Sequence, residues 1–186
     1  MHAMLAVKLA TYQDIIDLPE NIVGEIINGY LETHPRPAPK HAVVSSSLGD
    51  ELVSPFQKGR GGPGGWWILD EPECHLGTQV LVPDLAGWRK TRMPVLPETA
   101  WFDTVPDWVC EILSPSTARL DRVVKMPIYA QLGVAWLWLI DPALETLEAY
   151  QLHDQHWLLT GSYAGDQPVS TAPFTEHTFS LSDLWA

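Results

Sequence analysis

Residues 107–142, DWVCEILSPSTARLDRVVKMPIYAQLGVAWLWLIDP, constrain the fold more tightly than any other part of the chain. Trp108 to Leu113 form a mostly apolar run one strand long, the pattern of a strand covered on both faces of a sheet. Ser114, Ser116 and Thr117 then offer capping hydroxyls, Leu120, Val123, Val124 and Ile128 mark a helical stripe, and Gly133 supplies a stop. A second apolar strand follows through Trp136 and Trp138, which alternate and so point to one face, as core or as a dimer surface. Pro127 interrupts the helical pattern and is expected to kink it or split off its last turn. Glu111 stands inside the first strand. A carboxylate there costs several kcal/mol, in order of magnitude, unless a cation pairs with it or a metal binds it.

The flanking segments supply more strands and two helices. TYQDIIDLPE reads as a short helix with Thr11 as its N-cap and Pro19 as its end. In VGEIINGYLETH, Asn28-Gly29 divides two short apolar segments. A type I′ turn needs positive φ at both central residues, so this is a β-hairpin with Glu25 on its first strand. After the proline-rich RPAPK, a helix is expected from about Lys40 to Phe56. GRGGPGG is a loop, WWILDEPECHLGTQVLVPDLAGWR two or three strands ending around Asp84, and KTRMPVLPETAWFDTVP a connecting loop. TLEAYQL and HWLLTGSYAG add two further strands. Helices interleaved with strands define an α/β or α+β class with a central mixed sheet.

At 186 residues and 46% hydrophobic the chain can bury one substantial core, and a single domain over residues 1–186 is expected. No apolar run approaches the ~20 residues of a membrane helix, and the first residues lack a basic n-region and a small-residue cleavage site, so a cytoplasmic chain with no membrane partner is expected. Cys74 and Cys110 are the only cysteines and show no CxxC spacing, which suggests neither a disulfide framework nor a zinc knuckle. A net charge of -12 argues against sequence-independent adhesion to nucleic acid. All 11 Lys and Arg lie between Lys8 and Lys125, and the last 61 residues hold seven acids and no base. A face that meets a polyanion would draw on Arg36, Lys40, Lys58, Arg60, Arg89, Lys90, Arg92, Arg119 and Arg122; a solvated surface with an acidic end is the plainer account.

Three carboxylates adjoin apolar strand residues: Glu25 in GEIING, Asp84 in LVPDLAG and Glu111 in VCEILS. Any one alone reads as a cap or an ion-pair partner; with Lys125 they make a site. Mg²⁺ takes oxygen ligands, and one or two carboxylates with waters and substrate phosphate fill its coordination shell. Asp84 and Glu111 on neighbouring strands supply such a pair, with Mn²⁺ as a substitute ion. The ion would offset their repulsion, lower the pKa of a bound water and neutralise charge developing on a phosphodiester oxygen. Lys125 would position the water or stabilise the transition state.

GEIINGYLETHPRPAPKH, VPDLAGW and VPDWVCEILSPSTARLDRVVKMPIYAQLGVAWLWLIDP together resemble the Uma family of bacterial proteins, a branch of the restriction-endonuclease-like PD-(D/E)XK superfamily. The resemblance runs roughly from Thr11 to Tyr150, with Glu-Ile-Leu-Ser-Pro-Ser-Thr its most specific string. It implies an α/β/α sandwich around a mixed sheet and a metal-dependent nuclease site acting on DNA. By analogy with the superfamily it also implies a homodimer, since two-strand cleavage usually needs two sites. Carried over, Pro83-Asp84 matches the superfamily's PD, Glu111 its second acid and Glu25 the additional upstream glutamate. The superfamily's lysine sits two positions after the second acid, where this chain has Leu113. In this branch the lysine moves to the following helix, where the chain has Lys125.

Each residue also has a purely structural account. Asp121 lies one helical turn before Lys125, so an i,i+4 surface pair is the alternative for that lysine. His41, Arg119, Arg122 and Tyr129 are candidate substrate contacts, the arginines because a guanidinium forks onto paired oxygens. Capping, surface exposure and packing are the other accounts of these four. His75, on the strand run before Asp84, is placed away from the metal more readily than at it. Ser114, Ser116 and Thr117 read as caps because no histidine is close in sequence. The leading expectation is a metal-dependent DNA endonuclease. The alternatives are a non-catalytic interaction or nucleic-acid-binding module on the same fold, and a metal-dependent hydrolase of a small phosphorylated substrate.

Overall fold

In the computed structural model, the chain is described over residues 9–35 and 37–185. Lys8 and Arg36 lie outside those residues. The expected short helix α1 (Tyr12–Ile16) is capped by Thr11, and the hairpin of β1 (Ile22–Ile27) and β2 (Tyr30–Pro35) turns through Asn28 at φ 53° and Gly29 at φ 83°. The long helix α2 (Pro39–Leu52) ends in a π-turn over Val53–Gln57. The stretch 66–89 gives four strands where two or three were expected: β3 (Trp66–Asp70), β4 (Cys74–Leu76), β5 (Gln79–Leu81) and β6 (Leu85–Arg89). They divide between two sheets. β4 and β5 extend the hairpin into a four-stranded sheet of order β2-β1-β5-β4.

The main sheet holds β3 and β6 together with β7 (Trp108–Ile112), β8 (Trp136–Asp141), β9 (Thr146–His153) and β10 (His156–Ala164), in the order β10-β9-β8-β7-β6-β3. β7 and β8 run parallel, and the other neighbours are antiparallel. A parallel pair needs a crossover, which the helical segment between β7 and β8 provides. That segment comprises α3 (Ala118–Leu120), a π-turn over Asp121–Lys125 and α4 (Met126–Leu132), stopped by Gly133 at φ 81°. Pro127 does not split off the last turn. It lies at the start of α4, where its missing N–H cannot continue the helical ladder, and the irregularity falls upstream as the π-turn.

Alternation along β7 divides the core. Trp108, Cys110 and Ile112 face α2 and the C-terminal segment, packing with Leu48, Leu52, Phe56, Phe174 and Leu184. Val109 and Leu113 face the other way, toward α4 and the smaller sheet, with Ile128, Tyr129, Cys74 and Leu81. Glu111 shares this second face by period two. The result is a mixed sheet sandwiched between α2 on one side and the crossover helix with the hairpin sheet on the other. Trp138 joins the first face as core, edge-on to Trp108 and Phe174, and the half-buried Trp136 packs against that cluster.

Candidate active site

Five chain segments meet at the second face. Asp84 immediately precedes β6, and Leu85 pairs with Cys110, so Asp84 stands beside Glu111 on β7. Its Oδ2 accepts the Ile112 backbone N–H at 2.6 Å, while His41 Nε2 on α2 lies 3.1 Å from Oδ1. Glu111 is 3% exposed; its Oε1 accepts the Tyr129 hydroxyl at 2.5 Å and lies 2.8 Å from Lys125 Nζ. Lys125, also 3% exposed, reaches Glu25 Oε1 at 3.1 Å on β1. The same Glu25 oxygen accepts the Val82 N–H at 2.7 Å, and His34 Nε2 lies 3.6 Å from the other oxygen. Asp121, 4% exposed, has Oδ1 3.9 Å from Lys125 Nζ.

The π-turn explains how one helix serves two tasks. It widens the backbone across Asp121–Lys125, and Tyr129 one turn on meets the same Glu111 oxygen as Lys125. The i,i+4 pair of Asp121 and Lys125 is therefore buried, not a surface pair. One ammonium among Glu25, Glu111 and Asp121 is outnumbered by carboxylates. Burial raises the Glu111 carboxyl well above the usual range, Lys125 opposes it, and the neighbouring acids add to the rise. Burial likewise lifts Asp121 to about 6 against the pull of Lys125. Burial also raises Glu25, but Lys125, His34 and the Val82 N–H outweigh it and hold that group low. Burial lowers Lys125, yet Glu111 and Glu25 prevail and keep the amine charged far above its ordinary range.

Glu25, Asp84, Glu111, Lys125 and His41 all line one cleft of about 210 Å³, rimmed by Pro35, Pro37, Ser114 and Thr117. Tyr129 stands behind it, against Glu111. The two arginines are not brought there. Arg122 pairs with Glu148 on β9 at 2.8 Å, and Arg119 is exposed outside the cleft. His75 also points elsewhere, 2.6 Å from Glu73 and stacked on Trp101. Ser114 accepts the Thr117 N–H at 3.2 Å, a capping contact. Two polar lining residues escaped the sequence reading, His34 and Glu71, and Asp121 was expected only as the partner in a surface pair. His34 was recoverable, because the Asn28-Gly29 turn fixes the register that pairs Glu25 with Glu32, and His34 follows Glu32 by two residues on the same face. Nothing local marked Glu71.

A mixed sheet layered between helices is the restriction-endonuclease-like arrangement. The sequence model of the Uma2 family, described as "Putative restriction endonuclease", matches residues 9–182, and the chain belongs to that family. A solved structure of a putative nuclease belonging to DUF820 from Anabaena variabilis ATCC 29413 is similar, at 25% identity over 94% of this chain and 97% of that one, with a TM-score of 0.74. No curated protein matches. Among the described residues no helix is long and apolar enough to cross a membrane.

Proposed function

We propose that the chain is a metal-dependent endonuclease that hydrolyses phosphodiester bonds of DNA. The observation that carries this reading is the convergence of Glu25, Asp84, Glu111 and Lys125 on one cleft, where Oε2 of the fully buried Glu25 has no hydrogen-bond partner. A buried anionic oxygen with no donor nearer than His34 at 3.6 Å suits an ion or its water. Among the described residues no three His, Cys, Asp or Glu side chains are gathered to hold an ion by themselves. Mg²⁺ does not require three, since waters and substrate phosphate complete its shell. Asp84 and Glu111 would hold Mg²⁺, or Mn²⁺ in its place.

When bound, the ion would lower the pKa of a coordinated water and neutralise charge on the phosphate. The chain's own groups do the rest. Glu25 Oε2 accepts a hydrogen bond from the attacking water and aims it at phosphorus, and Lys125, fixed between two carboxylates, stabilises negative charge gathering on the phosphoryl oxygens. His41 holds Asp84 and Tyr129 holds Glu111 in orientation. The water oxygen forms a bond to phosphorus as the P–O bond to the leaving nucleotide breaks, with no covalent enzyme intermediate. A cavity of about 210 Å³ is smaller than the roughly 300–1,000 Å³ of small-molecule pockets. It suits a backbone phosphate more than an engulfed small substrate. Two-strand cleavage would call for a homodimer.

The test is incubation with supercoiled plasmid and short single-stranded DNA in Mg²⁺, Mn²⁺ or EDTA, beside Asp84→Ala and Glu111→Gln. Metal-dependent nicking lost in both folded variants is expected. Calorimetric metal binding without cleavage would favour the small phosphorylated substrate, and no metal binding at all the non-catalytic module.

A further inference from the structure

The cleft accounts for one basic residue, Lys125, and leaves unexplained where the others cluster. Five of the 11 Lys and Arg lie in two segments, 57–67 and 87–93, that contain no acid. The segments are adjacent in space: the Lys90 N–H donates to the Gly65 carbonyl at 2.8 Å, and Lys90 Nζ to the Gln57 carbonyl at 3.1 Å. Arg89 lies over Trp66 at 4.6 Å and Trp136 at 5.3 Å, which fixes its guanidinium. Arg92 is tied to Asp107 at 2.8 Å. Lys58 and Arg60 are exposed on the glycine-rich loop, and no carboxylate pairs with either among the described residues. In a chain of net charge -12 this is a concentrated positive patch.

Its place is set by the sheet. Trp66 pairs with Arg89 at one end of the β3–β6 ladder, and Asp70 with Leu85 at the other. The patch therefore sits at the end of β6 opposite Asp84, about 17 Å away for five strand residues. β3 is the edge strand, and it links the two places: its first residues adjoin the basic loop, and Glu71, just beyond its last, lines the cleft.

We infer that Lys58, Arg60 and the neighbouring Arg89–Arg92 segment form a second contact for the nucleic-acid backbone, holding a phosphate run at the Trp66 end of β3 while the cleft takes the scissile phosphate. This rests on the nuclease reading for its purpose, although the patch itself does not. The separation of about 17 Å corresponds to about five base pairs at 3.4 Å each. A single cleft with an acidic lining gains little affinity for a polyanion, and a remote basic contact supplies it through counterion release.

The test is anisotropy of a labelled duplex of ~20 base pairs titrated with the full chain in EDTA at several salt concentrations. Wild type is expected to bind, with log affinity falling linearly in log salt. The Lys58→Ala/Arg60→Ala variant should lose about 1.8 from that slope, at about 0.9 per phosphate contact, and more than tenfold in affinity at low salt. Wild type that fails to bind, or a double variant with wild-type slope and affinity, would overturn the inference. A second arm follows hydrolysis of bis(p-nitrophenyl) phosphate in Mn²⁺, which is too short to span both places. Equal rates in the two proteins are expected, and loss in the double variant alone would overturn the separation of patch and cleft. Absence of hydrolysis in both would count against the nuclease reading and leave the binding result standing.

Discussion

Replacing Lys125 with methionine removes the ammonium that Glu25 and Glu111 share at 3.1 and 2.8 Å, while keeping a similar apolar stem. Glu25 is 0% exposed and Glu111 3%, so both are held out of bulk water. Breaking a buried pair by deleting one partner destabilises by about 3–5 kcal/mol. At about 2–4 °C per kcal/mol for a chain of this size, the melting temperature should fall by roughly 6–20 °C. Glu25→Gln in the same chain removes the charge left stranded and leaves an amide oxygen for the Val82 N–H. Adding it to Lys125→Met should restore at least half of the loss, a coupling that a double-mutant cycle reads directly. Urea titration in EDTA at pH 7.5, followed by tryptophan fluorescence, measures all four proteins. A Lys125→Met protein within about 1 kcal/mol of wild type, the size of an exposed pair, would refute the reasoning. So would a double variant no more stable than the single one.

Three further outcomes follow from the same geometry. Tyr129→Phe strips a hydrogen bond from the Glu111 carboxylate and should destabilise by about 1.5–3 kcal/mol in urea titration. Asp121 carries a folded-state pKa raised to about 6, so the folded chain holds that proton more tightly than the unfolded one. Its contribution is full below the ordinary carboxylate value near ~4 and is lost as pH rises through about 6. Asp121→Asn should therefore gain stability relative to wild type at pH 7.5 but not at pH 4, as thermal melts at the two pH values will show. Burial pushes the Cys74 thiol up to about 12 and Cys110 well above its usual value. Since the thiolate is the nucleophile, neither should react with iodoacetamide at pH 8 in the folded chain, and both should in urea, as read by mass.

Much of the fold was legible because its signals are local. The Asn28-Gly29 turn, the Thr11 cap and the Gly133 stop each declare themselves within a few residues. What the sequence hid were long-range choices. Nothing in the run from Trp66 to Arg89 says that β4 and β5 leave for the hairpin's sheet while β3 and β6 stay in the main one. The π-turn was likewise hidden, since Pro127 announces a disturbance but not on which side it falls. At the site, Glu111 was recognisable as a charge in an apolar strand, and Lys125 through the family's displaced lysine. Arg122 was expected as a substrate contact, and the position of Glu148 on β9, 26 residues later, drew it away.

The burial of Lys125 has a consequence for how such a site is made. Where carboxylates gather with no internal cation, a chain folds only as its ion arrives, and a chelator unfolds it. Here part of the counter-charge, Lys125, is encoded in the chain and in place when the crossover helix docks. Under the proposed metal dependence, synthesis and storage would thereby be uncoupled from ion supply. For the proposed metal, scarcity would silence the chemistry and leave an intact fold waiting for it.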